Sequence, residues 1–418
     1  MPRSQGRQNQ RVSIAVGWNG RLNCAWADGN RFASVNRKYV VHFGELPEIR
    51  ERAAKLSLEP AAKSTPGKPT PTPSIDWTIE RDGKTYHVYF DDLHRHTNIS
   101  RCMPTIDGSL TDAHRYALDA VEYDFLAVTD HTRDIDPFSW WRTQKACDHF
   151  HIPGRYVPIY GYERSNLSAG GGHRNVFFLN RGAEVNPSDH YYIGSDLPRQ
   201  DANPDTTLYP WMKRRGDALT AAHTPEYSKA AIRGTWTYAD PQMEPVAEIF
   251  QGLRRSYERP GSGVAEEASL WYALRKGNRL GFIASSDHMS THMSYACVWA
   301  TEKTQEAIFE GLGARRTYAA TERIGLDVRI GSALMGEETN LDNDSVTLSI
   351  RAEGTAPIQE IQVIRSGQII ETLRPNLRRL ELQSVDLKPL SGTSYYYIRL
   401  VQQDGAIAWG SPIWVKRQ

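Results

Sequence analysis

FDDLHRHTNIS, residues 90–100, follows the run TYHVYF at residues 85–90 and sets His94 and His96 one residue apart at the end of a predicted strand. Residues i and i+2 of a strand face the same side, so both imidazoles can serve one metal ion. Two histidines on a surface loop would spell the same letters. The rest of the chain separates the two readings.

Ligand-type residues recur where other short apolar runs stop. Asp130 and His131 follow FLAVT, Glu163 follows YVPIYGY, His223 follows LTAA, and Asp287 and His288 follow GFIASS. A strand made only for a core should end in Gly, Asn or Ser. Between these runs lie segments with a helical reading: SLTDAHRYALDAVE with Ser109 or Thr111 as candidate cap, FSWWRTQKACDHF, and VAEEASLWYALRKG closed by Gly277. Buried strands alternating with helices predict a parallel sheet, open or closed into a barrel. In closed α/β barrels the active site is built at the C-terminal ends of the strands, so these side chains are expected to converge.

Four regions are expected. Residues 1–58 hold an N-terminal β segment (RVSIAVGW, NCAWAD and RKYVVHF), and residues 59–83 a Pro-rich linker. Residues 84–320 form the metal-binding barrel, and residues 321–418 an antiparallel β-sandwich with hairpin turns at RSGQ and QDGA. The fold class expected is therefore α/β, a barrel with an appended sandwich.

The chain of 418 residues is 39% hydrophobic with a formal net charge of +1. It can bury an ample core, and its balance gives no reason to expect nucleic acid or an anionic membrane as partner. Cys24, Cys102, Cys147 and Cys297 are scattered, against a disulfide framework and against a cysteine-rich zinc site. No leader-like or membrane-spanning apolar stretch is visible, so a cytoplasmic protein is expected. Assembly into a homo-oligomer stays open.

A ligand set of His, Asp and Glu suits Zn²⁺, Mn²⁺ or Fe²⁺. There are more candidates than one ion needs, so two or three divalent transition-metal ions bridged by a carboxylate are expected. The order DLHRHT, AVTDH, GYE, an isolated His, AAH and SSDH resembles the polymerase-and-histidinol-phosphatase (PHP) superfamily of metal-dependent phosphoesterases, over about residues 88–292. DLHRHTNIS, the WWRTQK helix, GYERS, GGGHRNVFF, SSDHMSTH and the β-rich tail are similar to a large branch of that superfamily of unknown function. The resemblance implies a distorted (β/α)₇ TIM-like barrel and usually a trinuclear site. It implies that His94 and His96 bind a first metal, Glu163 bridges it to another, and Asp287 completes the first site. His173 and His223 would share a further metal with Glu163, and His131 would bind the remaining one.

Two positions depart from that pattern. Where the superfamily usually has Asp or His shortly after the HxH motif, this chain has Cys102, with Asp107 further on; Cys102 could be a soft thiolate ligand. The last motif reads SDHMSTH, so its second ligand is either His288 or His292.

Beside the ligands, Asp130 is a catalytic candidate or an orienter of a histidine ligand. Arg95, Arg101, Arg133, Arg164 and Arg174 adjoin ligands, and Arg164 and Arg174 are the choice for holding an anionic substrate. Gly170, Gly171 and Gly172 suit an anion-binding loop or a plain turn. Trp140 and Trp141 suit a pocket wall or a helix core, and Arg254, Arg255 and Tyr257 a rim loop. His87 reads as structural, and His114, His149, His151 and His190 as surface; Cys147 and Cys297 read as core thiols. The expected function is a metal-dependent hydrolase, a phosphoesterase acting on a small anionic, phosphorylated substrate through a metal-activated hydroxide. The alternatives are an amidohydrolase-like C–N or C–O hydrolase and a non-catalytic metal-stabilised binding protein.

Overall fold

The computed structural model describes residues 13–29, 39–46, 77–103, 106–165, 172–186, 204–223, 236–237, 239–261, 263–289 and 291–417. The linker residues 59–76, Gly170, Gly171 and His190 lie outside them. The chain divides into two compact units, Met1–Thr72 and Pro73–Gln418.

The first unit is an antiparallel meander of β1 (Ser13–Val16), β2 (Leu22–Gly29) and β3 (Tyr39–Glu45). Gly20, at φ +76°, makes the left-handed turn between the first two strands.

In the second unit β4 (Thr78–Arg81) pairs with β5 (Lys84–Arg95), which carries the HxH stretch. β6 (Phe125–Val128), β7 (Val157–Arg164), β8 (His173–Phe178), β9 (Ala218–His223), β10 (Val246–Gln251) and β11 (Gly281–Ser285) follow in hydrogen-bonded order. A parallel bridge between Arg95 and Asp287 closes this series on β5. The interior is apolar: Leu93, Phe125, Ala127, Val157, Ile159, Phe177, Ala221, Val246 and Ile283 form one buried cluster. Helices α1 (Leu110–Arg115) and α2 (Pro137–Phe150) precede β6 and β7. Ser109, not Thr111, caps α1, whose chain continues as a π-helical turn. Asp136 caps α2, and Pro137 opens it. Helix α3 (Tyr209–Arg215) precedes β9 and α4 (Leu270–Arg275) precedes β11.

The rest of the chain is nearly all strand. β12 (Tyr295–Ala300) lies antiparallel on β5, and after helix α5 (Gln305–Gly313) comes β13 (Thr317–Ala320), paired with β12. Then follow β14 (Gly325–Ile330), β15 (Ala333–Leu334), β16 (Glu338–Asn340), β17 (Val346–Arg365), β18 (Gln368–Leu373), β19 (Leu377–Asp386), β20 (Gly392–Gln402), β21 (Ile407–Gly410) and β22 (Ile413–Arg417). The RSGQ turn is built with Ser366 and Gly367 both at positive φ, as a two-residue hairpin of matching twist requires.

This architecture corrects the expected fold class. The protein is not a (β/α)₇ barrel with a sandwich standing beside it: 46% is strand and 17% helix, and all the strands but β1, β2 and β3 join in one hydrogen-bonded system of 19. β8 runs antiparallel to both β7 and β9. The boundary placed at residue 321 falls inside a single hydrogen-bonded system, since β13 pairs with β21 and β12 with β5. It also falls inside a single core, in which Phe90, Cys297 and Trp299 pack with Leu326, Ile350 and Ile398. A strand buried on both faces has the same apolar composition whichever way it runs, so NVFFLN does not announce its reversal. Among the described residues no helix is long and apolar enough to cross a membrane.

Candidate metal centre

Two local irregularities aim the first ligands. β5 bulges against β6: Asp92 faces Leu126 and Arg95 faces Val128, so Leu93 and His94 together oppose Ala127. An extra residue of this kind bends a strand and re-aims its side chains. Asp287 sits just beyond β11 with φ +61°, a conformation uncommon for a residue with a Cβ and found where surroundings impose it. The main chain of β5 supplies that constraint, as Asp287 N donates to His94 O at 2.8 Å and His96 N to Asp287 O at 3.4 Å. Asp92 locks the same corner, accepting from His94 N at 3.0 Å and from Ser286 N at 3.1 Å.

The side chains converge on Glu163, which is 1% exposed. His96 Nε2 and His131 Nδ1 each lie 3.1 Å from Glu163 Oε2, His94 Nε2 lies 3.4 Å from it, and His223 Nε2 lies 3.8 Å from Oε1. His173 Nδ1 also contacts Oε1. His94 Nε2 and His96 Nε2 are 3.1 Å apart, and His96 Nε2 is 3.1 Å from Asp287 Oδ1. Imidazole lone pairs and carboxylate oxygens packed this closely repel unless a cation lies among them. Without a metal ion only protons can play that part. Burial opposes charge on His94 and His96, but Glu248, Asp287 and Glu163 override it, raising His94 well above the usual imidazole range and His96 to about 9. His131, by contrast, is lowered to about 3 and His223 well below the usual range, chiefly by burial; these are neutral donors. Burial also works against ionised Glu163 and Asp287, yet the surrounding imidazoles hold both carboxylates below their usual range.

The outward-facing nitrogens are tied down. His94 Nδ1 lies 2.8 Å from Glu248 Oε1. His96 Nδ1 lies 2.8 Å from Ser100 Oγ, whose hydroxyl donates to Asp130 Oδ1 at 2.6 Å. His288 Nδ1 lies 2.8 Å from Asp107 Oδ2. Each carboxylate, directly or through a serine, takes the Nδ1 proton and leaves the Nε2 lone pair directed at the cluster, the arrangement that orients metal-bound histidines. Glu163 Oε1 and Asp287 Oδ1 are buried with only imidazole nitrogens against them. Both observations fit a metal centre.

The structure thus brings together His94, His96, His131, Glu163, His173, His223, Asp287 and His288. Cys102 stands at the edge, its Sγ 3.2 Å from His288 Nε2. Its thiol is pushed up to about 12, first by burial. His292 is exposed and pairs instead with the Tyr116 hydroxyl at 2.8 Å, so His288 is the residue that joins. Asp130 accepts from Thr97 N and Oγ1 and from Ser100 N and Oγ, and so reaches His96 Nδ1 through Ser100. Arg174 is 1% exposed, donating to Glu244 Oε2 at 2.5 Å and Tyr209 Oη at 3.1 Å. Arg164, equally buried, bonds Asn186 at 3.3 Å and Thr207 at 3.0 Å. Arg133 is more accessible than Arg164 and Arg174, its side chain 32% exposed and 3.3 Å from Asp134.

Several smaller expectations are corrected. His114 is wholly buried, with Nδ1 2.9 Å from the Tyr156 hydroxyl, because it lies on the inner side of α1. Tyr257 is core, while Arg254 and Arg255 are exposed. Of the two readings open for the tryptophan pair, Trp140 takes the core one and donates to Ala183 O, whereas Trp141 is half exposed. Sequence reading missed Glu248 and Asp107's final role. The signal for Glu248 was present: a lone carboxylate inside the apolar run VAEIF must be buried, and a buried charge needs a partner. Glu248→Gln keeps the shape and weakens the hold on His94 Nδ1, so metal affinity should fall ~10–100-fold; isothermal titration with Zn²⁺ measures it, and an unchanged Kd would remove Glu248 from the site.

Fold and site together define a β-rich protein with a buried histidine–carboxylate cluster suited to divalent metals. No protein-family model matches the chain. It is 31% identical over 415 residues to an uncharacterized protein of Chlamydia pneumoniae, covering 90% of this chain and 63% of that one. It is 28% identical over 355 residues to an uncharacterized protein of Chlamydia trachomatis serovar D, covering 74% of this chain and 55% of that one. The chain therefore spans only 63% and 55% of the length of these two curated relatives. Among solved structures it is similar to the fibronectin(III)-like modules of Clostridium thermocellum CbhA, at 16% identity over 21% of this chain and 94% of that one, with a TM-score of 0.16, too low to indicate a shared fold.

Proposed function

We propose that this protein is a metal-dependent hydrolase, a phosphoesterase, holding two or three divalent transition-metal ions, and that its motif order places it in the PHP superfamily. The observation that carries this reading is the convergence of His94, His96, His131, His173 and His223 on Glu163, with the Nδ1 atoms of His94 and His96 anchored from behind. His94, His96, Glu163 and Asp287 would hold one ion, and Glu163, His173 and His223 another, with His131 and His288 nearest a third. Such ions lower the pKa of bound water from 15.7 to roughly 7 and neutralise phosphoryl oxygens. The chain's own groups do the rest. Glu248, Ser100–Asp130 and Asp107 fix the imidazole rings. Burial of His94, His96, Glu163 and His223 to 1% exposure or less excludes water from the inner side. His131, His173, His288 and Cys102 form the more accessible edge, where an anionic substrate would approach with Arg133 beside it. No serine or cysteine nucleophile is required. The four cysteines form no disulfide, which supports a reducing, cytoplasmic setting.

The test is elemental analysis of the purified protein and of His94→Ala, each assayed on generic phosphomonoesters and phosphodiesters before and after chelation. Two or three ions per chain, with turnover lost on chelation and regained on reconstitution, is the expected result. Stoichiometric metal without phosphoester turnover would transfer the reading to C–N or C–O hydrolysis. No stoichiometric metal even after reconstitution would sink it.

A further inference from the structure

The cluster has two ends of different chemistry. Around Glu163 every donor is an imidazole nitrogen or a carboxylate oxygen. At the other end Cys102 Sγ and Asp287 Oδ1 both face His288 Nε2, at 3.2 Å each, while His288 Nδ1 is held by Asp107 at 2.8 Å. Asp287 Oδ1 is buried with only imidazole nitrogens against it, His96 Nε2 at 3.1 Å on one side and His288 Nε2 at 3.2 Å on the other, so it is a carboxylate oxygen aimed at donors that a cation would join. Resting on the metal-centre reading above, we propose that Cys102 Sγ, His288 Nε2 and Asp287 Oδ1 form a thiolate-containing compartment selective for a zinc-like ion, with Asp107 a positioning residue behind His288. On this assignment Cys102 is the ligand, while Asp107, which lies within reach of the same donors, acts through His288 Nδ1.

The chemistry follows from the donor set. Thiolate is soft and selects Zn²⁺ or Co²⁺ over Mg²⁺ and Mn²⁺, whereas the imidazole–carboxylate end discriminates less. A coordinating thiol is deprotonated outright, so ion uptake at this end releases the Cys102 proton to solvent. The other three cysteines do not compete. Cys24, Cys147 and Cys297 are buried, and their thiols lie against the carbonyl oxygens of Gly44, Ile159 and Tyr295.

The probe is Co²⁺ alone, added to saturation to the metal-free full chain. The wild type should develop a near-ultraviolet thiolate-to-cobalt charge-transfer band. Cys102→Ser, with its far-ultraviolet circular dichroism retained, should lose that band and bind one fewer equivalent of Co²⁺. Asp107→Asn should keep the band while its weakest Co²⁺ equivalent loosens ~10–100-fold. A saturated wild type without the band, or a band that survives in Cys102→Ser, overturns the proposal. Alkylation of Cys102 by iodoacetamide, read by mass spectrometry on the wild type, avoids any folding defect of a variant. Zn²⁺ should slow it, and equal rates with and without Zn²⁺ overturn the assignment. The band without phosphoester turnover would sink the phosphoesterase alone; turnover without the band would sink this compartment alone.

Discussion

Glu163→Gln should leave a folded protein that has lost at least one metal ion per chain and whose phosphoester turnover has fallen by well over ~100-fold, the upper range for merely weakening a supporting residue. The substitution conserves volume and removes one negative charge from the point where five imidazoles meet. The metal-free variant should be somewhat less stable than the metal-free wild type at neutral pH, because it loses a carboxylate that the imidazoles hold ionised and that helps keep His96 protonated. The larger difference should emerge on adding Zn²⁺. An ion that binds only the folded chain stabilises it by about 4 kcal/mol at a thousand times its Kd, so the wild type should gain a higher Tm with Zn²⁺ and the variant most of that gain should lack. Differential scanning calorimetry with and without Zn²⁺, beside elemental analysis, reads both. Full metal content and unchanged turnover in Glu163→Gln would mean that the cluster is held by its histidines for some other purpose.

Much of that cluster was legible because its residues obey a simple rule. His94, Glu163, His223 and Asp287 all lie at or just past the end of a strand where an apolar run stops. A polar side chain there costs the core little and reaches the same end of the sheet as its neighbours. What could not be read depended on partners far away in the chain. The reversal of β8 leaves no trace in NVFFLN because both its faces are buried. The join between residues 84–320 and 321–418 rests on ladder pairing between β13 and β21, and a ladder is made by backbone groups that every sequence carries. Alternating strands in the tail announce a sheet with two chemically different faces, yet they say nothing of which edge it shares. His292 lies against Tyr116 and His288 against Asp287, contacts with residues whose placement nothing in SDHMSTH announces.

Arg174 marks the other limit, because adjacency in sequence to His173 suggested a substrate-binding guanidinium and burial gave it a different task. On a strand, neighbouring residues face opposite sides, so a residue next to a ligand is the one directed away from the ligand's side. Burial works against the Arg174 charge, and Glu244 and Tyr209 more than offset it, holding the guanidinium protonated above its ordinary range. Glu244, wholly buried, accepts from Arg174 Nε at 2.5 Å and from the Tyr209 hydroxyl at 2.9 Å. Glu244→Ala therefore strands a charge in the core and should cost ~3–5 kcal/mol of stability, while replacing both partners with apolar residues of similar volume, Arg174→Met with Glu244→Leu, should recover most of it. Urea unfolding followed by tryptophan fluorescence measures both. If Arg174 served the substrate, the double variant would be stable and inactive, and KM would rise with metal content unchanged. If it serves the fold, the double variant should keep its metal and its turnover, and Glu244→Ala alone should unfold at markedly lower urea. A Glu244→Ala midpoint equal to that of the wild type would mean that the buried pair contributes nothing, and would return Arg174 to the substrate side.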